Sequence, residues 1–161
     1  MRRKDREITD PVQIHSIIES CFCCRVGFYD GAQVYIVPLN FGFVRKQGHY
    51  TFYFHGAKEG RKIECIKNCA SVGFELDDGG RLVESETACG CSTQFRSIIG
   101  NGIPGFVTDP SEKLEGLRAI MEHTTGKNDW SFDDAALQAV CIFKIEVTEI
   151  SCKEHDTGKG Q

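Results

Sequence analysis

Between residues 25 and 107 this chain reads almost wholly as strand, broken by one short helix, and that order constrains its fold more than any other feature. One helix precedes the run, and a second helix and a final strand follow it. Strands and helices do not alternate in the way a parallel βαβ sheet requires. The order suits a mainly β (α+β) fold, an antiparallel barrel with helices packed outside. The first helix is announced by Asp10, a capping residue, then Pro11 at the first helical position and Gln13 to close a capping box. Ile14, Ile17, Ile18 and Cys21 then recur at helical spacing, and the helix is expected to end at 21–24. Residues 25–29 form a strand that turns at Asp30-Gly31, a hairpin signal. Residues 33–44 continue as strand, with Pro38 inside. A proline cannot donate to a ladder, so this strand lies at an edge or is interrupted there. Gln47-Gly48 turns the chain into a strand over 49–55. A short helix is expected over 61–67, a strand over 71–76 and a turn at 77–80. Strands over 81–86 and 93–107 follow, then a helix opened by Asp109-Pro110. Residues 126–134 read as loop, 140–150 as the last strand, and the stretch from 154 as a polar tail. The expected organisation is one domain, 1–153, with a tail over 154–161.

Composition narrows the partners. The chain has 161 residues, enough to bury a core without staples, and a net charge of −4. An acidic balance argues against a general nucleic-acid binder, although it permits a local basic pocket. No apolar run approaches a membrane span and no apolar segment follows the charged first residues, so the expected location is the cytoplasm. The nine cysteines are scattered rather than framework-like, which suits reduced thiols acting as small buried hydrophobes.

The stretch His55-Gly56-Ala57-Lys58-Glu59-Gly60-Arg61-Lys62 carries the most chemistry. A strand ends, small residues let a ligand approach the backbone, and a helix begins with unpaired amides and a positive dipole end. Arg61 can grip an anion bidentately and Lys62 adds a point charge. The spacing is neither that of a Walker loop nor that of a dinucleotide fingerprint. An exposed helix start with solvated charges is the competing reading. Upstream, Val37-Pro38-Leu39-Asn40 offers a broken strand whose amides could meet the edge of a planar ring; an ordinary edge strand explains it equally.

Together with Arg2-Arg3-Lys4-Asp5-Arg6-Glu7-Ile8, Phe41-Gly42 and Ser97-Ile98-Ile99-Gly100-Asn101-Gly102, these stretches resemble the pyridoxamine 5′-phosphate oxidase-related superfamily. The likeness is closest to its nitroimidazole-resistance-type flavoproteins. It covers residues 2–153. It implies an FMN-binding split β-barrel working as a homodimer, with FMN at the interface. It implies that Val37, Pro38, Leu39 and Asn40 hold the isoalloxazine edge. His55, Gly56 and Ala57 would line the ribityl and phosphate region, with Arg61 and Lys62 on the phosphate. Arg96 and Ser97 would approach the partner's flavin, and Trp130 would cover the site from the partner chain. The implied activity is FMN-dependent reduction of a small electron-poor compound such as a nitroaromatic, with NADH or NADPH as donor. Where the family often carries an aromatic residue this chain has Cys91, which bears on substrate shape.

No catalytic acid or base can be assigned; His55 is the one histidine in a suggestive place. The runner-up reading is a non-catalytic flavin- or haem-binding sensor on the same barrel. A third reading, metal held by Cys21, Cys24, Cys89 and Cys91, is disfavoured by their spacing, so no metal site is expected.

Overall fold

The computed structural model describes residues 3–156. After a 3₁₀ turn at Lys4–Arg6 come β1 (Glu7–Ile8), α1 (Pro11–Ser20), β2 (Cys24–Tyr29), β3 (Val34–Leu39), β4 (Gly42–Lys46) and β5 (His49–Gly56). Then follow α2 (Arg61–Asn68), β6 (Val72–Val83), β7 (Ser92–Phe106), α3 (Pro110–Thr125), α4 (Asp134–Ala139) and β8 (Cys141–His155). The strands form one antiparallel sheet in the order β3-β2-β6-β7-β8-β5-β4, with β1 paired to β8.

The two edges of that path, β3 and β4, are consecutive in the chain and joined only by Asn40 and Phe41. Laid flat, seven strands would hold their edges about 29 Å apart. The link from Leu39 to Gly42 spans at most about 11 Å. The sheet must therefore curl until its edges meet. The covalent link closes it there, and no ladder joins β3 to β4 among the described residues. This is a split barrel.

Alternate residues fill its interior. Cys24, Val26 and Phe28 of β2, Phe52 and Phe54 of β5, and Phe143 and Ile145 of β8 are all fully buried, and Ile17 and Ile18 of α1 join the same cluster. Strand β5 is buried on both faces, because Tyr53 points instead into a second cluster with Leu117 and Ile120 of α3. Helix α3 comes unusually close there. A Cβ on Gly42 would lie 2.2 Å from the Ala119 carbonyl carbon, so only glycine fits. Both long helices start as their sequence announces. The Asp10 carboxylate accepts the Val12 N–H at 3.0 Å, and Asp109 accepts the Glu112 N–H at 2.8 Å.

The structure departs from the expected elements in four places. Residues 33–44 are two strands rather than one, and the break falls at Asn40-Phe41. Pro38 stays inside β3, tolerated because β3 is an edge. Residues 77–80 form no turn: β6 runs through them with a register shift between Asp77 and Gly80. Gly79 adopts φ +79°, and Asp78 accepts the Arg96 backbone N–H at 3.2 Å across the ladder, which lets pairing resume. Helix α4 lies between the expected loop, 126–134, and the strand expected from 140, where no element is expected. Strand β8 extends to His155, which pairs with Phe95, so Glu154 and His155 belong to the sheet rather than to a tail. The remainder of the expected tail, from 157, lies outside the described residues.

Candidate functional site

The end of β5 and the start of α2 meet in a small cationic cradle. Gly56 pairs with Cys141 at the beginning of β8, and Phe54 stacks on Phe143 with ring centroids 5.0 Å apart. Lys62 folds back over both: its Nζ lies 5.3 Å above the Phe143 ring. A Cβ on Gly56 would stand 2.9 Å from that Nζ, so the missing side chain is what leaves the ammonium its place. Lys62 is half-buried, and among the described residues no carboxylate pairs with it. Burial lowers its pKa below the usual lysine value. Gly60 precedes α2 with φ +119° and offers no side chain to cap it. Its carbonyl accepts the Ile63 and Glu64 N–H groups, leaving the start of the helix without a side-chain acceptor. A half-buried ammonium beside an uncapped helix start has the chemistry to receive an anion.

Arg61 diverges from its neighbour. Its Nη2 donates to Asp30 Oδ2 at 2.6 Å, and its guanidinium lies 4.3 Å over the Tyr35 ring. Asp30 also accepts the Ala32 and Gln33 N–H groups, and these bonds with Arg61 hold its carboxyl down to about 2. Arg61 thereby ties α2 to the β2–β3 hairpin, beside a cleft of about 390 Å³ lined by Tyr29, Asp30 and Glu64. His55 is exposed at the end of β5, and Ala57 is exposed after it. Val37 and Leu39 are half-buried on the inner face of β3, while Pro38 and Asn40 are exposed. Asp30, Tyr35 and Phe143 escaped the sequence reading. The Asp30-Gly31 turn was legible, but not that its carboxylate would meet Arg61.

The other expected residues lie elsewhere in this chain. Strand β8 pairs with Gly56 at its first residue, Cys141, and with Phe95 at its last, His155. Arg96 and Ser97 are therefore at the opposite end of the sheet from the cradle. The Arg96 Nε donates to Asp78 Oδ2 at 2.5 Å, and its Nη2 reaches Ser20 Oγ at 3.4 Å. Ser97 pairs with Asp77 and Lys153. Trp130 is exposed, with its indole N–H bonded to Thr125 Oγ1 beyond the end of α3.

The sequence pattern of the pyridoxamine 5′-phosphate oxidase family matches residues 10–154. The chain belongs to that family. A solved structure from Bacteroides thetaiotaomicron, described as a candidate 5-nitroimidazole antibiotic resistance protein, is 33% identical to it. The match covers 92% of this chain and 86% of that one, with a TM-score of 0.79. A flavocytochrome from Azotobacter vinelandii (19% identity, 97% and 72% covered, TM-score 0.78) shares the fold. So does an FAD- and haem-binding protein from Mycobacterium smegmatis (13% identity, 94% and 74% covered, TM-score 0.78). No curated protein matches the chain significantly.

Within this family member the four cysteines considered for metal fall into two environments. Cys21 and Cys24 are buried in the core, whereas Cys89 and Cys91 are exposed. Burial pushes the Cys21 thiol up to about 12 and raises Cys24 as well. Histidines without evident partners in the sequence acquire them in space. His123 Nδ1 lies 2.8 Å from the Phe41 carbonyl, and His155 Nε2 lies 2.8 Å from Ser92 Oγ. Among the described residues no helix is long and apolar enough to cross a membrane.

Proposed function

We propose that this chain is an FMN-dependent oxidoreductase that reduces a small electron-poor compound, such as a nitroaromatic, and acts as a cytoplasmic homodimer. The observation that carries the reading is Lys62, a half-buried ammonium with no carboxylate partner among the described residues, set across Gly56 at an uncapped helix start in an acidic protein. That donor set fits a phosphate monoester: charge-assisted bonds from Lys62 and the first-turn amides would meet its oxygens. The 33%-identical relative supports the substrate class.

Bound FMN would supply hydride transfer, chemistry that no side chain of the chain provides. The protein's own part is positioning. Gly56 and Ala57 give close backbone approach beside the phosphate. Val37, Leu39 and Asn40 lie on the free edge of β3, where amides not used by β2 can meet a ring edge. Pro38 lacks an N–H and so leaves one of those positions without a donor. Arg61 steadies the helix start through Asp30 and keeps further N–H donors for the anion. His55 is the titratable group beside the cradle.

The homodimer rests on the outer face of β2 and β3. Tyr29, Val34 and Ile36 are each more than half exposed there, and Tyr29 pairs with Val34. An apolar patch on the strand that borders the cradle suits a second copy covering the site. In that arrangement Ser97 and Trp130 would come from the partner, while Arg96 stays bound to Asp78 of its own chain.

The test is the visible spectrum of the purified protein, with the released chromophore identified. FMN at one per chain, with NADH- or NADPH-driven turnover of a nitro compound, supports the reading. FMN without turnover makes the chain a flavin-binding sensor. A Soret band moves it to haem with His55 as the first ligand to replace. Protein that neither carries nor takes up FMN overturns the assignment.

A further inference from the structure

Seven of the nine thiols are buried or half-buried; Cys89 and Cys91 are exposed. Both lie where the chain crosses from β6 to β7, flanking Gly90 on a 3₁₀ turn at Ala88–Gly90. The turn is closed twice, by Gly90 N–H to the Thr87 carbonyl at 3.0 Å and Cys91 N–H to the Ala88 carbonyl at 3.3 Å. The residue between the cysteines is pinned: a Cβ on Gly90 would stand 2.3 Å from Ser85 Oγ. The Cys91 thiol points back to the Ser85 carbonyl at 3.8 Å. Residues two apart cannot have Cα atoms more than about 7.6 Å apart. A disulfide needs about 4.4–6.8 Å, so a tight turn brings such a pair into range.

We propose that Cys89 and Cys91 are a redox modification site that closes reversibly into a disulfide within the turn. The oxidant is a low-molecular-weight disulfide. One cysteine thiolate attacks it, forming a mixed disulfide and releasing one small thiol. The second cysteine thiolate then attacks the cysteine sulfur of that mixed disulfide and expels the other small thiol. The two cysteines give up two electrons and two protons, and the small disulfide takes both as two thiols. The buried thiols do not compete, because the thiolate is the nucleophile and burial holds Cys21 up to about 12 and Cys152 up to about 11.

The test treats the native protein with limiting glutathione disulfide, traps remaining thiols by alkylation and maps tryptic peptides by mass. The expected product is peptide 82–96 lighter by two hydrogen masses, with both cysteines unalkylated. Cys89→Ser and Cys91→Ser should each instead stop at a single glutathione adduct on the remaining cysteine. Dithiothreitol should restore two alkylatable thiols in the wild type. A wild-type product that stops at glutathione adducts overturns the proposal, as does first oxidation at Cys23, Cys69 or Cys141. Neither readout depends on a bound flavin.

Discussion

The two ends of β8 present cations in opposite states. At the Cys141 end, Lys62 lies over Phe143 with no carboxylate partner among the described residues. At the His155 end, Arg96 is matched to Asp78 at 2.5 Å, and Asp78 also accepts the Arg96 backbone N–H. Both are half-buried basic residues, Lys62 on α2 and Arg96 on β7. A matched cation has its charge answered within the fold and serves chiefly to hold elements together, here the bulge of β6 to β7. An unmatched one carries a desolvation cost that an incoming anion can offset. Arg61 is intermediate: it is matched to Asp30, but by one nitrogen at an exposed pair.

The largest expected effect separates these two ends. Lys62→Glu should weaken FMN binding by about 100-fold or more, because it places like charge against a phosphate. Fluorescence titration of the apoprotein reads it, with the melting temperature showing the fold intact. Lys62→Ala should cost about 10- to 100-fold, the range of a charge-assisted hydrogen bond. Unchanged affinity in either variant would remove the anion site from α2. Gly56→Ala should weaken FMN binding by only about three- to tenfold, since the new methyl displaces a flexible ammonium rather than backbone.

Arg96→Ala should behave differently, changing FMN affinity by less than about threefold while lowering stability by about 0.5–1 kcal/mol, the scale of a partly exposed ion pair. Should it cost as much affinity as Lys62→Ala, the comparison breaks and Arg96 belongs to the site, reached from the partner.

The smallest effects are in pH, and their signs oppose. Lys62 titrates below the usual lysine value of 10.5 because it is buried. The fold thus disfavours its charged form, and a bound phosphate favours it. FMN affinity should hold through neutral pH and fall as pH rises through that lowered midpoint; in Lys62→Ala this alkaline limb should vanish. Asp30 titrates near 2 rather than 3.8. Its contribution is fully present above the unfolded value and lost as pH falls through the folded one. The stabilisation from the hairpin-to-α2 tie should therefore be complete above about pH 4 and decline below it, and the tie itself should open as pH falls through about 2. Chemical shifts of the Asp30 carboxyl and the Gln33 amide report this.

Much of the fold is legible in local signals. Asp10-Pro11 and Asp109-Pro110 start helices where capping chemistry says they should, and Asp30-Gly31 makes its hairpin. Asp77-Asp78-Gly79-Gly80 misleads for a physical reason. The same residues that favour a turn also allow a bulge, and only the partner strand, through Arg96, selects between them. Helix α4 has six residues, too few for a periodicity to show. Of the site, the small residues and basic pair at 55–62 were readable. The division of labour between Arg61 and Lys62 was not, because side chains one apart on a helix diverge by about 100° and their partners come from distant strands.

By itself, then, the sequence determined most of the strands and helices, though not α4, the break at Asn40-Phe41 or the bulge at 77–80, and it determined that Pro38 belongs at an edge and that small residues and a basic pair stand at the start of α2. These follow from backbone chemistry acting over a few residues. The tertiary structure alone decided that β3 and β4, neighbours in the chain, become the two lips of a split barrel. It alone decided that Arg61 is neutralised by Asp30 while Lys62 is not. Both outcomes depend on which distant groups arrive beside a given side chain, and local sequence carries no record of that.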